Sequence, residues 1–257
     1  KIMLKKRVIP VLLMKDGKMV KGKKFRNFIE TGQPESTVDV YSDQEADELI
    51  FLNISKSKDY FKYFKQIVIR AAKKCSMPLT IGGDIKSLEN VSEMLNIGAD
   101  KIIITSEILE NMSLINKVSE SFGAQCMIVG IDYSYDVDKK KYFVWGNLYT
   151  NKTKFELFEY LEILNRYNFG QIFLNSIDCD GSMKGYDLEV IKKAKKISNK
   201  PIIACGGAGN FEHMEKLFME TNVEAAACAS IFHFGDNNPI RLRSYLKNKN
   251  IPMRILK

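Results

Sequence analysis

Residues 201–209 read Pro-Ile-Ile-Ala-Cys-Gly-Gly-Ala-Gly, an apolar run with β-branched residues that ends in a glycine-rich loop. A continuous apolar run of this kind is typical of a parallel strand that is buried on both faces. The same pattern occurs earlier in the chain, where Ile81-Gly82-Gly83 matches Cys205-Gly206-Gly207 with 124 residues between equivalent positions. This repeated unit of strand and loop predicts a parallel sheet.

Further matches at nearly the same spacing extend this unit into an internal repeat. Phe51-Leu52-Asn53 recurs 122 residues later as Phe173-Leu174-Asn175, and Ser106 recurs 124 residues later as Ser230. Each matched segment lies at the predicted end of a strand. The repeat predicts two related half-barrels, about 1–124 and 125–257, and because no Gly-, Ser- or Pro-rich linker separates them we expect one domain, 1–257.

Short apolar runs with β-branched residues occur eight times in the chain. They cover residues 7–12, 48–54, 78–82, 101–105, 126–131, 171–176, 201–205 and 224–229. Most of the intervening segments have apolar residues at helical spacing, as in Phe61, Phe64, Val68 and Ala71. Eightfold alternation of strands and helices predicts an α/β fold, a closed (β/α)8 TIM barrel, and 257 residues is a typical length for this fold.

Composition excludes several classes of protein. With 45% hydrophobic and 27% charged residues the chain is neither disordered nor of low complexity, and its apolar runs are too short to span a membrane. No secretory signal is recognisable and the five cysteines are scattered, so we expect a cytoplasmic protein without disulfides, metal or cofactor. The formal charge of +8 suggests an anionic partner. Lysines without interleaved aromatic residues favour a small anionic ligand or a docked protein over nucleic acid.

In this fold the functional side chains lie where the strands end. Asp132 directly follows the apolar run 127–131, so its carboxylate is predicted to project into the barrel mouth and is the strongest candidate for proton transfer. Asp178 and Asp180 follow the sixth strand and are further candidates. We also predict that the basic segment 14–26, after the first strand, is a mobile lid over an anionic ligand.

A phosphate site is predicted after the seventh and eighth strands, where barrels often bind phosphate. Glycine lets the backbone approach the anion, and the N–H groups at the start of a helix bind it. The predicted site consists of Lys21, Asp180, Gly181, Gly206, Gly207, Ala229 and Ser230. The equivalent loop in the first half reads Gly82-Gly83-Asp84, and because a carboxylate repels phosphate, that second site is expected to be degraded or put to another use.

Charged and polar residues also stand at or near the starts of four strands, on the opposite face of the predicted barrel. They are Arg7, Glu48, Lys101 and Gln171. Such residues could close a ring in which Arg and Lys pair with Glu, so that the buried charge is tolerated. Stability is the usual role of this face of the barrel.

Motifs in order along the chain resemble the cyclase subunit of imidazole glycerol phosphate synthase. They include Arg7-Val8-Ile9-Pro10, Val20-Lys21-Gly22, Asp180-Gly181 and Gly206-Gly207-Ala208-Gly209. The resemblance implies a heterodimer in which a glutaminase docks at the N-terminal face and ammonia rises along the barrel axis. In that family, ammonia reacts at the top with a bis-phosphorylated substrate to give imidazole glycerol phosphate and an aminoimidazole carboxamide nucleotide. The resemblance assigns Arg7, Glu48 and Lys101 to the ammonia gate, with Gln171 in place of a glutamate.

Departures from the family's pattern cluster at the mouth. The family has two catalytic aspartates; here Leu13 replaces the one on the first strand, and Asp132 matches the other. Asn53 replaces an aspartate and Thr105 an asparagine, while Asp84 replaces a phosphate-loop glycine. Because loss of a general acid or base typically lowers the rate ~10²–10⁴-fold, we expect retained ammonia handling with weak or absent cyclase activity.

The chain therefore also resembles the divergent copies found with surface-polysaccharide genes. In these systems the cyclase-like subunit supplies ammonia to an ATP-dependent synthetase that builds an acetamidino group on a sugar. An apolar bore would conduct the ammonia, and we expect Ile103, Ile128, Gly130, Phe173 and Ala227 to line it.

Two alternatives remain open on the sequence. The first is a genuine cyclase (lyase) of histidine biosynthesis, in which Asp132 works with a substitute acid such as Asp16 or Asp178. The second is a non-catalytic protein that only activates its glutaminase.

Overall fold

A computed structural model describes residues 5–23, 26–55, 57, 59–233 and 237–254. The strands of this part are β1 (Arg7–Lys15), β2 (Lys18–Lys23), β3 (Arg26–Gly32), β4 (Leu49–Asn53), β5 (Leu79–Gly82), β6 (Lys101–Ile104), β7 (Met127–Asp136), β8 (Lys141–Gly146), β9 (Asn151–Glu156), β10 (Gln171–Ser176), β11 (Ile202–Cys205) and β12 (Ala225–Cys228). The helices are α1 (Pro34–Asp43), α2 (Asp59–Ala72), α3 (Leu88–Asn96), α4 (Ser106–Glu110), α5 (Ser113–Phe122), α6 (Leu157–Leu164), α7 (Leu188–Ile197), α8 (Phe211–Thr221), α9 (Ser230–His233) and α10 (Pro239–Asn248).

The parallel strands close into a barrel. Their order is β10-β11-β12-β1-β4-β5-β6-β7, and pairing between β7 and β10 completes the circle. These strands coincide with the eight apolar runs of the sequence, and helices cover the outside. The predicted closed (β/α)8 barrel is confirmed.

Alternation along each strand separates two apolar clusters. On β1, Val8 and Leu12 face the helices, whereas Ile9, Val11 and Leu13 face the barrel interior. The interior cluster consists of Ile9, Val11, Leu13, Val20, Ile50, Ile54, Ile103, Ile128, Phe173, Ile203, Ala225 and Ala227. The residues expected to line the bore thus lie inside the barrel. Gly130 is one of them, and a Cβ added there would lie 2.1 Å from the Thr105 Oγ1.

Two antiparallel hairpins were not predicted from the sequence. Segment 14–26 is not the expected loop, because its described residues extend β1 and form β2, which pairs with β1 and β3. Its role as a mobile lid stays a prediction. Lys24 and Phe25, between β2 and β3, lie outside the described residues. The second hairpin continues β7 into β8 and β9, with Asp132 opposite Trp145. Both hairpins rise from the carboxyl-terminal end of the barrel and enclose its mouth.

The helices follow their apolar spacing. α2 contains the helical pattern of Phe61, Phe64, Val68 and Ala71 seen in the sequence, and α8 begins at Phe211 after the 206–209 glycine loop. The side chain of Asn210 accepts a hydrogen bond from the backbone N–H of His213 and caps α8. Among the described residues, no helix combines the length and apolar character needed to cross a membrane.

Candidate functional site

The carboxyl-terminal ends of the strands enclose a cavity of about 370 Å³. Its lining includes the position of the replaced acid, the proton-transfer candidate and the predicted phosphate residues: Leu13, Lys21, Asp132, Asp180, Gly181, Gly206, Gly207, Ala229 and Ser230. The structure thus brings the proton-transfer candidate and the predicted phosphate residues into one cavity, although they are distributed over five strands and their loops. A concave site with a few converging polar groups is typical of a small-molecule site.

Asp132 is accessible from the cavity and otherwise enclosed by side chains. Its Oδ1 accepts hydrogen bonds from the Tyr149 hydroxyl at 3.0 Å and from Asn175 Nδ2 at 2.8 Å. Burial raises the pKa of this carboxyl to about 6; the two hydrogen bonds oppose the shift, and the charge of Asp180 adds to it. A carboxylate whose pKa lies near neutral pH is suited to taking up and releasing a proton.

Tyr149 and Asn175 are site residues that the sequence reasoning missed. Asn175 carried a signal, because it is the repeat equivalent of Asn53, and its Nδ2 also lies 2.8 Å from the Tyr149 hydroxyl. Tyr149 carried none, because it belongs to the β8–β9 connection, which was not predicted. Both amide hydrogens of Asn175 are thus directed at this cluster, while its buried Oδ1 accepts no hydrogen bond from the described residues.

Lys21 and Asp180 form a buried ion pair in the wall of the cavity. The Lys21 Nζ lies 2.8 Å from the Asp180 Oδ1, and the two side chains are 3% and 10% exposed. Lys21 extends from the β2–β3 hairpin and Asp180 follows β10, so the pair fastens this hairpin over the mouth. In this arrangement the lysine charge is balanced by the carboxylate before any anion enters.

Close packing requires glycine in the loop that follows β11. Gly206 and Gly207 have φ values of +96° and +105°, in the left-handed region. A Cβ at Gly207 would lie 1.9 Å from the backbone oxygen of Gly185, a distance that no side chain tolerates. The glycines therefore have a packing role that is independent of phosphate, while their backbone still borders the cavity beside Ser230.

The equivalent loop of the first half has the same tight approach but a different charge. Gly83 has a φ of +90°, and a Cβ there would lie 1.9 Å from the Asn53 backbone oxygen. Asp84, at φ +57°, forms an ion pair with Lys86 and lines the cavity. The first half therefore presents a carboxylate where the second half has Ala208.

Leu13 closes the apolar side of the mouth. It is 3% exposed and belongs to the interior cluster. The two aspartates considered as substitute acids lie elsewhere. Asp16 is paired with Lys15 at 2.7 Å in the β1–β2 turn, and Asp178 accepts hydrogen bonds from the Ser134 hydroxyl and the Tyr135 backbone N–H. Neither Asp16 nor Asp178 is among the described residues that line the barrel cavity.

The base of the barrel carries the charged residues found at the strand starts. The Glu48 carboxylate, only 4% exposed, bonds to Arg7 Nη1 and, at 3.0 Å, to Lys101 Nζ. Gln171 stands at the start of β10, and its buried Oε1 accepts no hydrogen bond from the described residues. Three members of the predicted ring are thus joined through Glu48.

Comparison with known proteins agrees with this architecture. The family described as histidine biosynthesis protein matches residues 7–238. Imidazole glycerol phosphate synthase subunit HisF of Staphylococcus saprophyticus is 36% identical over 252 residues, which cover 98% of this chain and 100% of that protein. The subunit of the same name from Staphylococcus epidermidis is also 36% identical, and that from Staphylococcus aureus is 34% identical, with the same coverage. The chain therefore belongs to the histidine biosynthesis protein family.

Proposed function

We propose that this chain is the cyclase-like, ammonia-conducting barrel subunit of a glutamine amidotransferase of the imidazole glycerol phosphate synthase type. Ammonia enters from a glutaminase docked at the N-terminal face and leaves at the mouth beside Asp132. The cyclase activity of the chain itself is weak or lost, and the ammonia is used for the amidination of a sugar. The relatives are named as subunits of imidazole glycerol phosphate synthase, which supports the amidotransferase class.

The base of the barrel supports the entry step. Arg7, Glu48 and Lys101 form one charged cluster at the strand starts, where the resemblance places the ammonia gate. Gln171 would complete the ring as a neutral member. In this proposal the cluster keeps water and ions out of the interior until the glutaminase docks and rearranges it.

The interior supports conduction. The interior cluster is apolar between the base and the mouth, with small side chains at Ala225 and Ala227 and none at Gly130. Transfer of an ion into such surroundings costs many kcal/mol, whereas a neutral molecule pays only for its lost hydrogen bonds. Neutral ammonia can therefore pass where ammonium and other ions are excluded.

Leu13 is the observation that carries the proposal. The resemblance requires an acid at this position to share proton transfer with Asp132, and the structure has a buried leucine in apolar surroundings there. Leucine neither accepts nor donates a proton. Three of the four residues of the base keep the types that the resemblance assigns to the gate, while an acid of the mouth is replaced by an apolar side chain, which favours delivery of ammonia over ring closure.

The acceptor is proposed to be a sugar of surface-polysaccharide biosynthesis, reached through an ATP-dependent synthetase. This rests on the resemblance to divergent copies of the family and on the altered mouth. Asp84 places a carboxylate at one of the two phosphate loops, which disfavours a bis-phosphorylated substrate. The loops at Gly206-Gly207 and Ala229-Ser230, with Lys21 and Asp180-Gly181, are proposed to hold one phosphate or other small anion.

Restoration of the missing acid tests the proposal. The chain and its Leu13→Asp variant are assayed with the imidazole glycerol phosphate synthase substrate and ammonium salt, beside the Staphylococcus saprophyticus subunit. We expect the unmodified chain to turn over at least about 10²-fold more slowly than that subunit, and Leu13→Asp to recover part of the difference. Leu13→Asn, with a similar polar shape but no acid, is the matched control and should recover nothing.

A genuine cyclase of histidine biosynthesis is the second candidate. It is favoured by the 36% identity over 98% of the chain and by Asp132 at the mouth. Turnover of the unmodified chain close to that of the Staphylococcus saprophyticus subunit would establish this candidate and overturn the first. Increased glutamine hydrolysis on mixing with a glutaminase, without ammonia reaching any acceptor, would instead identify an activator.

A further inference from the structure

The connection between β8 and β9, residues Asn147–Thr150, is named the strap. Asn147, Leu148 and Tyr149 have φ values of 50°, 53° and 64°. These values lie in the left-handed region, which residues other than glycine adopt uncommonly, and a run of three requires support from the surrounding structure. The strap therefore has a backbone that is held in place by its contacts.

Contacts at both ends of the strap supply this support. The Asn147 backbone N–H donates to the Ser106 hydroxyl at 2.9 Å, and the Thr150 hydroxyl donates to the Asn147 backbone oxygen at 2.7 Å. Leu148 packs against the interior apolar cluster. Between these anchors Tyr149 extends its hydroxyl to Asp132 in the mouth and lines both the barrel cavity and a cleft between the two hairpins.

The hydroxyl of Tyr149 meets Asp132 at the point where the bore opens. It lies 3.0 Å from Asp132 Oδ1 and 2.8 Å from Asn175 Nδ2, which itself lies 2.8 Å from the same carboxylate oxygen. Burial and the Asp132 charge raise the pKa of the phenol well above its ordinary value, so the hydroxyl keeps its proton and serves as a donor. Two neutral donors thus converge on one carboxylate oxygen.

We propose that Tyr149 is a positioning residue for Asp132: its hydroxyl, delivered by the strained strap, fixes the carboxylate at the exit of the bore and stabilises its ionised form. Leu13 supplies no polar group from β1, and Tyr149 supplies one from the β8–β9 connection instead. The proposal rests on the proposed function for the use of Asp132 as a proton acceptor. When ammonia at the exit attacks a carbon that the ATP-dependent synthetase has activated with a phosphate, the carbon–nitrogen bond forms as the bond to the phosphate leaving group breaks. The positively charged nitrogen then releases a proton to the Asp132 carboxylate, and the carboxylic acid later returns it to water.

The competing explanation is that Tyr149 only fills space in the mouth. Tyr149→Phe separates the two roles, because it keeps the ring and removes the hydroxyl. Loss of a donor to a carboxylate favours the protonated form and raises the pKa of that group. A space-filling role would leave the titration of Asp132 unchanged.

The titration is measured by carbon NMR of the full chain labelled in the aspartate carboxyl groups, with Asp132→Asn to identify the signal. We expect Tyr149→Phe to raise the midpoint of Asp132 by about one pH unit, a tenfold change in its protonation equilibrium. Tyr160→Phe is the matched control, because Tyr160 is fully buried in α6 and its hydroxyl has no hydrogen-bond partner among the described residues. Equal midpoints in Tyr149→Phe and the unmodified chain would overturn the proposal.

A second measurement needs no variant. With the tyrosine ring carbons labelled, the Tyr149 signal of the unmodified chain should move with the same midpoint as the Asp132 carboxyl; a Tyr149 signal that stays constant through that midpoint would also overturn the proposal. Neither measurement uses a glutaminase or an acceptor, so failure of ammonia delivery leaves the positioning role standing. Where delivery is reconstituted, the acid limb of its pH profile should shift with the carboxyl midpoint in Tyr149→Phe.

Discussion

The two ends of this barrel differ in how their charges are arranged. At the base, one buried carboxylate, Glu48, joins Arg7 and Lys101 in a compact cluster. At the mouth, charges are paired locally instead: Lys21 with Asp180, and Asp84 with Lys86. Asp132 lies among neutral donors, and burial raises its pKa to about 6. The base is built as one charged network, whereas the mouth combines local ion pairs with Asp132, a carboxylate held by two neutral donors.

This difference bears on the proposed loss of cyclase activity. The base keeps the residue types that the family resemblance assigns to the ammonia gate, apart from Gln171. At the mouth, the same resemblance expects other residues in place of Leu13, Asn53, Asp84 and Thr105. A subunit that conducts ammonia needs the base and the bore, whereas ring closure of a bis-phosphorylated substrate also needs a particular mouth. Variants at each end can therefore be used to test this division.

Glu48→Ala should give the largest effect, because it leaves Arg7 and Lys101 partly buried without their carboxylate. Removal of one partner from a buried ion pair typically costs about 3–5 kcal/mol, and the partial exposure of the two cations places the expected loss near the lower value. Urea unfolding measures the change in the free energy of unfolding. Glu30→Ala, which breaks the exposed pair with Lys18, is the control and should change stability by less than about 1 kcal/mol. Equal effects of the two variants would show that the base is not a network.

The eight strands were predictable because each is buried on both faces and reads as a continuous apolar run. Alternation within these runs also placed Ile103, Ile128, Phe173 and Ala227 inside the barrel correctly. The division into two half-barrels remains a prediction. The hairpins escaped detection because β2, β3 and β9 are largely polar, and their register depends on contacts with the barrel rather than on local pattern.

The polar partners at the mouth could not be derived from the sequence. Lys21 pairs with a residue 159 positions away, and Tyr149 meets Asp132 only because the strap adopts a left-handed backbone. Proximity of this kind depends on barrel closure, which brings together strands that are distant in the chain. Sequence reasoning could place Asp132 at the mouth, but its raised pKa follows from burial, which outweighs the opposing hydrogen bonds from Tyr149 and Asn175.

Asp132→Asn should produce a smaller effect that depends on pH. The pKa of Asp132 is raised to about 6 in the folded chain, against about 3.9 when unfolded. Below about pH 4 the Asp132 carboxyl is neutral in both states, and its contribution to the stability of the folded state is fully present. This contribution is lost as pH rises through about 6. Asparagine stays neutral and can still accept from Tyr149 and Asn175. We expect the variant to be more stable than the parent by about 1–3 kcal/mol at pH 8 and about equal at pH 4, measured by urea unfolding. A difference that is independent of pH would show that Asp132 is not the titrating group.

Asp84→Gly should have the smallest effect on the fold and tests the asymmetry within the mouth itself. Glycine adopts the left-handed conformation of Asp84 without strain, so stability should change by no more than about 1 kcal/mol. Removal of the carboxylate also leaves the charge of Lys86 unpaired beside the Gly83 backbone. Inorganic phosphate should then bind about tenfold more tightly, as measured by calorimetry at low salt. Asp84→Asn separates the causes, because it removes the charge but keeps the side chain. Tighter binding in both variants would show that the charge of Asp84 excludes phosphate from this half. Tighter binding in Asp84→Gly alone would show that the volume of the side chain excludes it. No change in either variant would show that this loop does not form a phosphate site.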